Sequence, residues 1–192
     1  MPIPASREDL AIDFANTLFW RGSEAPSEAL ADFPALLAWL GRAGMPQAML
    51  AAAPAQREAA LFAEAVELRE SIYRIFSDIA EGRAAAALDL AALNAALARA
   101  PPRTRLLLGE GGYAWAAEPS ASSAAGLLAP VLWSAADLLA RGERLKIRRC
   151  ANLKCLWLFI DRSKAGTRRW CDMAACGNRA KAQRHYRRVR RG

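Results

Sequence analysis

The chain has 192 residues, 54% of them apolar, and a formal net charge of +8. That size suits one ordinary domain, or a medium domain with a small one attached. No run of 18 or more apolar residues occurs, which excludes a transmembrane helix. The charge is divided unevenly. Residues 1–140 hold 10 Arg against 16 Asp or Glu, whereas residues 141–192 hold 17 Lys or Arg against 3 acids. A basic segment of that kind repels itself unless anions compensate, so an acidic partner is expected.

The opening residues 1–14 are acidic where a secretory leader would be basic, which predicts a cytoplasmic protein whose four cysteines are not disulfides. Apolar residues at Leu10, Phe14 and Leu18 predict a first helix over Glu8–Trp20. Asp32 as cap, Pro34 in the first turn and Gly44 beyond the end predict a second over Asp32–Arg42. A short helix is expected after Pro46. Pro54 then opens a long helix to Glu81, with Leu61, Ala65, Leu68, Ile72, Ile75 and Ile79 as its core stripe. An alanine-rich helix follows over Ala84–Arg99, ended by Pro101–Pro102. The period then changes: Thr104–Leu108 and Tyr113–Ala117 flank a glycine-rich turn and predict a β-hairpin. Ser122–Ala140 predicts a helix that Pro130 kinks or splits. Gly142 marks the expected boundary between a helical domain, 1–141, and a basic module, 142–192.

The four cysteines fall as Cys150-x4-Cys155, fifteen residues, and Cys171-x4-Cys176. Two matched pairs around a hairpin-sized loop suit one tetrahedral zinc ion. A redox dithiol normally has two intervening residues, and an iron–sulfur cluster also takes four thiolates. With four protein ligands no coordination position stays open, so the metal would be structural. Leu145–Arg149 alternates apolar and basic residues before the first pair, Leu156–Ile160 reads as a strand, and Thr167–Trp170 as the strand returning against it. Asp172 would cap a helix that carries Cys176 in its first turn. Knuckle, hairpin and helix together predict a treble-clef-like module, and the whole chain an α+β fold that is mainly α.

From Gly177 onward, helical spacing sets Ala175, Ala182, Tyr186 and Val189 on one stripe, expected to pack on the hairpin. Lys181, Arg184, Arg188 and Arg191 fall on another. Rows of this kind neutralise phosphates and release counterions. Arg162 and Lys164 at the hairpin turn, Arg168 and Arg169 at its end, and Arg179 and Arg187 on the helix extend the candidate nucleic-acid surface. Charge alone does not separate DNA from RNA, and nothing assigns a residue to a base edge. Trp157 and Trp170 read as small-core residues. His185, two and a half turns beyond Cys176, reads as a surface residue and not a ligand.

Cys150, Cys155, the run Trp157–Ser163, Arg169-Trp170-Cys171 and Cys176-Gly177-Asn178-Arg179 resemble the CGNR zinc finger. Leu10–Thr17 resembles the opening motif of the ABATE domain, which precedes that finger in proteins described as stress-induced transcription regulators. The resemblance implies a zinc-dependent DNA-binding regulator.

The first helix is apolar nearly all round and should be buried, which places Asp13 and Asn16 on a buried or pocket-lining stripe with Trp20. A buried carboxylate needs a partner. Arg69 interrupts the stripe of Phe62, Val66 and Tyr73 on the long helix, with Arg21 as the other option. Two readings follow: Asp13 and Arg69 form a buried ion pair, or Asp13, Asn16 and Arg69 line a pocket for a small effector. No nucleophile–base pair, phosphate loop or open metal site argues for an enzyme. The leading expectation is a DNA-binding regulator, with a homodimer as one way to read paired half-sites. The competing ones are an RNA- or ribosome-associated factor and a zinc-stabilised protein adaptor.

Overall fold

The apolar faces of several helices in the first 140 residues have to be covered at once, and the arrangement of helices follows from that need. The computed structural model describes residues 9–45, 55–109, 112–116, 122–142 and 146–190. In chain order it has α1 (Leu10–Ala15), β1 (Leu18–Phe19), β2 (Ser27–Glu28) and α2 (Phe33–Arg42). A 3-10 turn at Ala55–Arg57 leads into α3 (Glu58–Ala80), then α4 (Ala87–Arg99) and the hairpin β3 (Arg105–Gly109) with β4 (Gly112–Ala116). Next come α5 (Ala124–Leu127), α6 (Ala129–Ala140), β5 (Ile147–Arg149), β6 (Leu158–Ile160), a π-turn at Met173–Gly177 and α7 (Asn178–Val189). The short helix expected after Pro46, and the start expected at Pro54, lie outside the described residues.

The long helix behaves as its periodicity requires. Leu61, Ala65, Leu68, Ile72 and Ile75 are buried along one face, with Ile79 half-buried at the end. α3 packs against α1, α2, α4 and α5, and α1 sits between α3 and α6. Local chemistry sets the ends of the shorter helices. The Asp32 carboxylate accepts the Ala35 N–H at 2.8 Å, and Pro34 occupies the first turn of α2. Ser123 caps α5 by accepting the Gly126 N–H at 3.1 Å. Pro130 falls in the first turn of α6, so the expected long helix is split just before it.

The first helix is shorter than its apolar period predicts. It ends at Ala15, and β1 then pairs antiparallel with β2, Leu18 opposite Glu28 and Phe19 opposite Ser27. Asn16 and Thr17 break the helix because their side chains compete for hydrogen bonds. Thr17 Oγ1 donates to the Phe14 carbonyl at 2.8 Å, and Asn16 spends its amide on a distant strand.

The pairing of the finger's strands also differs from expectation. β6 lies against β5, Ile147 opposite Ile160 and Arg149 opposite Leu158, and not against Thr167–Trp170. Leu158, Ile147 and Ile160 are buried in the same apolar cluster as α1, α3 and α6. Thr167, Arg168 and Arg169 are exposed and could not fill that place. Because the ribbon's apolar side is already covered by the helices, it has none left for α7. The stripe expected to pack there is open to solvent instead: Tyr186 and Val189 are 69% and 63% exposed.

Candidate metal centre

β5 and β6 lead into and out of the knuckle that carries the first cysteine pair. The Cys150 N–H donates to the Trp157 carbonyl at 2.8 Å, and the N–H groups of Cys155 and Leu156 donate to the Asn152 carbonyl. The Asn152 side chain serves both halves of the site. Its Oδ1 accepts the Lys154 N–H at 3.1 Å, and its Nδ2 donates to Cys176 Sγ at 3.6 Å. The second pair is presented by the π-turn. Asp172 caps it by accepting the N–H groups of Ala174 and Ala175, as its position before the helix predicts. Asp161 ties the intervening loop by accepting from the Ser163 hydroxyl and from the N–H groups of Ser163 and Arg168.

The four sulfurs lie within 4.8 Å of one another, with Cys155–Cys171 at 3.7 Å and Cys171–Cys176 at 3.9 Å. Four thiolates placed about 2.3 Å from a central zinc ion would stand about 3.8 Å apart, so the spacing fits that ion. The thiol chemistry fits as well. Hydrogen bonds from the Cys155 and Cys171 thiols hold Cys150 far below the usual thiol range. Sharing protons with the Cys150 thiolate pushes Cys155 and Cys171 up. A cluster this dense cannot ionise fully by itself, and a divalent cation removes the obstacle. Cys150, Cys155, Cys171 and Cys176 therefore form one zinc site, closed by four protein ligands and structural in role.

The helical body holds this centre through a row of contacts. Asn16 Nδ2 donates to the Leu158 carbonyl at 2.8 Å, and its Oδ1 accepts the Leu158 N–H at 3.0 Å. Asn16 acts as a one-residue strand against β6. The Tyr73 hydroxyl donates to the Leu156 carbonyl at 2.9 Å, where Leu156 has the unusual φ of 56°. The Gly22 N–H donates to the Lys154 carbonyl at 3.3 Å, and a Cβ on Gly22 would fall 1.8 Å from the Leu153 carbonyl oxygen. Only glycine fits there. Arg149 pairs with Glu81 and donates to Ser77 Oγ at 2.8 Å. The rings of Phe19 and Trp157 meet at 5.0 Å, and the Arg179 guanidinium lies 4.6 Å from the Trp20 ring centroid.

The expected Asp13–Arg69 pair is not formed. Arg69 is 2% exposed, and it donates to Glu28 at 2.7 Å, to Glu70 at 2.9 Å and to Thr17 Oγ1 at 3.2 Å. Arg21 reaches the same Glu70 at 2.6 Å. A chain of two arginines and two glutamates thus satisfies the buried charge, as a buried arginine requires. The reason is position: breaking the helix at Asn16 brings Thr17 and Glu28 over Arg69. Asp13 is half-buried and lines, with Asn16, Thr17, Trp39, Arg42 and Trp157, a cavity of about 320 Å³ that Arg69 does not reach.

The cations expected to meet nucleic acid are not equivalent. Arg179, Lys181 and Lys164 are exposed. Arg162 contacts Asp9 at 3.5 Å. Arg168 lies over the Phe159 ring and donates to the carbonyls of Trp170 and Cys171, so it clips the loop before the second cysteine pair. Arg169 lies over Trp170 at 5.5 Å. Arg184, Arg187 and Arg188 fall on α7, and Arg191 lies outside the described residues. Trp157 and Trp170 pack, partly buried, on the cysteine cluster as expected, and Trp20 joins them there. Sequence reasoning misses Gly22 and Asn152, and it misses that Trp20 and Tyr73, read only as stripe residues, reach the finger. A glycine two residues after a tryptophan, and an amide inside a knuckle, are the only signals that could have found them.

Among the described residues no helix is long and apolar enough to cross a membrane. No curated protein matches the chain. The CGNR zinc finger matches residues 146–189. The ABATE family, whose description reads "Putative stress-induced transcription regulator", matches residues 8–142. With that match spanning more than half its length and a tetrathiolate finger docked on the matched helices, the chain belongs to the ABATE family.

Proposed function

We propose that the protein is a cytoplasmic DNA-binding transcription regulator of the stress-response type and not an enzyme. The observation that carries this reading is the exposed cationic helix α7, rooted through the π-turn on a closed zinc site. Its exposed cations include Arg179 and Lys181, and Arg190 follows just beyond its end. The body that holds the finger is net acidic, so it repels a phosphate backbone and leaves the finger as the binding face. The cavity beside Asp13 and Asn16 touches Trp157 of the finger and is the place where an effector would act on it.

Titrating the zinc-loaded protein onto mixed-sequence DNA and RNA duplexes across a salt series tests this. About six phosphate contacts give log K falling against log salt with a slope of about −5. DNA should bind more tightly than RNA, and Lys181→Gln should make the slope shallower by about 1. Tighter binding to RNA would favour the RNA- or ribosome-associated reading. Equal binding to heparin, or a flat slope, would favour a protein adaptor. The same titration followed by mass should show two copies per palindromic site if the regulator reads paired half-sites.

A further inference from the structure

Beside the zinc knuckle lies a second cavity of about 360 Å³, whose lining does not include Asp13. Its size falls in the range of small-ligand pockets, about 300–1,000 Å³. It is built by both halves of the chain. Trp20 comes from the segment after β1, Asn152, Leu153 and Lys154 from the knuckle, and Trp170 and Arg179 from around the second cysteine pair. No aspartate or glutamate lines it. Lys154 and Arg179 form no ion pair among the described residues, and Arg179 is stacked on the Trp20 ring at 4.6 Å. Asn152 is not free to read a ligand, because its amide already serves Lys154 and Cys176.

Trp20 is held in this place against its own preference. Its φ of 55° is rare for any residue other than glycine and rarer for a bulky aromatic. Such conformations persist where the surroundings over-determine them, and they cluster at binding sites. Here the surroundings are Arg21, anchored on Glu70 and the Ala15 carbonyl, and Gly22, pressed against the knuckle. The zinc ligand Cys176 closes the floor of the cleft, and Asp172 lies beyond Trp20 in the adjoining one. The two cations at the rim, Lys154 and Arg179, with two indoles beside them, are thus the groups that suit a planar ring carrying a negative charge. The bases of an intact duplex keep their faces stacked on each other. Only an unstacked base can use aromatic walls, which recognise it without regard to sequence.

We propose that this cleft is a subsite for one unpaired nucleotide of a bound nucleic acid, its phosphate on Lys154 and Arg179 and its base against Trp20 and Trp170. The inference rests on the nucleic-acid reading above and adds to it a preference for distorted or bulged sites. It also makes Trp20, a residue of the helical body, part of the nucleic-acid surface.

Fluorescence anisotropy of the zinc-loaded full chain decides it, using one DNA duplex fully paired and the same duplex with a single extra unpaired thymine. The unaltered protein should bind the bulged duplex about 5-fold or more tightly, the low end of what one stacked base contributes. Trp20→Leu should abolish that preference, the ratio of the two affinities being the readout, because the same change also frees Arg179 on α7 and can lower both affinities together. Zinc content and circular dichroism show whether Trp20→Leu is folded. Lys154→Gln, at an exposed position, provides a second reading and should cut the preference about threefold. Equal affinity for the two duplexes, or a preference that survives both substitutions, overturns the proposal. Abolition of the preference by micromolar free mononucleotide would assign the cleft to a free nucleotide and overturn the nucleic acid as its occupant. Failure of the unaltered protein to bind the paired duplex would instead strike the regulator reading, a separate result.

Discussion

Phe76 on α3 and Cys155 in the knuckle are both buried, but they are held in place by different kinds of force. Phe76 is fully enclosed by apolar side chains from several helices. Burying one such ring contributes roughly 1.5–3 kcal/mol, and the body is a sum of many such terms. Cys155 has three other cysteines and the partly buried rings of Trp20, Trp157 and Trp170 for company. A cluster that small cannot fix a segment of chain, so the metal and the hydrogen bonds from the body must. The body is therefore robust to any one loss, whereas the finger depends on a few interactions of large individual weight.

The largest effect tests the metal. Structural zinc contributes an apparent 10–16 kcal/mol or so in small modules. Strong chelation, or Cys176→Ser, should abolish stoichiometric zinc in native mass spectrometry and expose the knuckle and residues 161–190 to protease, while β5 and β6 stay with the body's core. Amide protons of α3 should stay protected from exchange. A finger that keeps its protection without metal would break the comparison outright.

A smaller effect is expected from the body's grip. Asn16→Ala leaves the buried N–H and C=O of Leu158 without partners, at about 2–4 kcal/mol for the two. Thermal unfolding should register that loss, and zinc should transfer faster to a chromophoric chelator. A cost below about 1 kcal/mol would mean that the body and the finger are joined by apolar contact alone.

The smallest effect concerns acid. Burial pushes the Glu70 carboxyl up, but the hydrogen bond and charge of Arg21, together with Arg69, outweigh it and hold the group below its ordinary 4.5. A depressed carboxylate stabilises the fold above its unfolded value, and that contribution is lost as pH falls through the folded one. Glu70→Gln should thus flatten the acid limb of the body's stability, by about 1 kcal/mol or less given its partial exposure. Hydrogen exchange of α3 at saturating zinc reads this separately from the finger, whose thiolates also take up protons in acid. An unchanged acid limb would remove Glu70 from the balance.

Features that depend on near neighbours along the chain are legible in the sequence itself. The cysteine spacing, the Asp172 cap, the Asp32–Pro34 start and the split at Pro130 each follow from local chemistry. So does the hairpin at Arg105–Ala116, within a residue at either end. What cannot be read are choices between equally good local options. Leu18 and Phe19 satisfy a helical period as well as a strand, and only the long-range use of Asn16 settles the matter. Arg69 needs a carboxylate, and the sequence offers several. Glu28 wins because a ribbon no pattern announces folds it over the helix. The stripe of Ala182, Tyr186 and Val189 has the right period for packing. Its supposed partner is already occupied by Leu158 and Ile160.

The place where Ile147, Leu158 and Ile160 enter the helices' core bears on how such proteins can be recombined. Swapping fingers between relatives at residue 146 looks simple on paper. A graft must nevertheless match three side chains from the donor to the recipient's interior, and it must meet an asparagine at 16 and a glycine at 22. Chimeras that exchange residues 10–22 together with 146–190 should tolerate the exchange better than finger-only grafts.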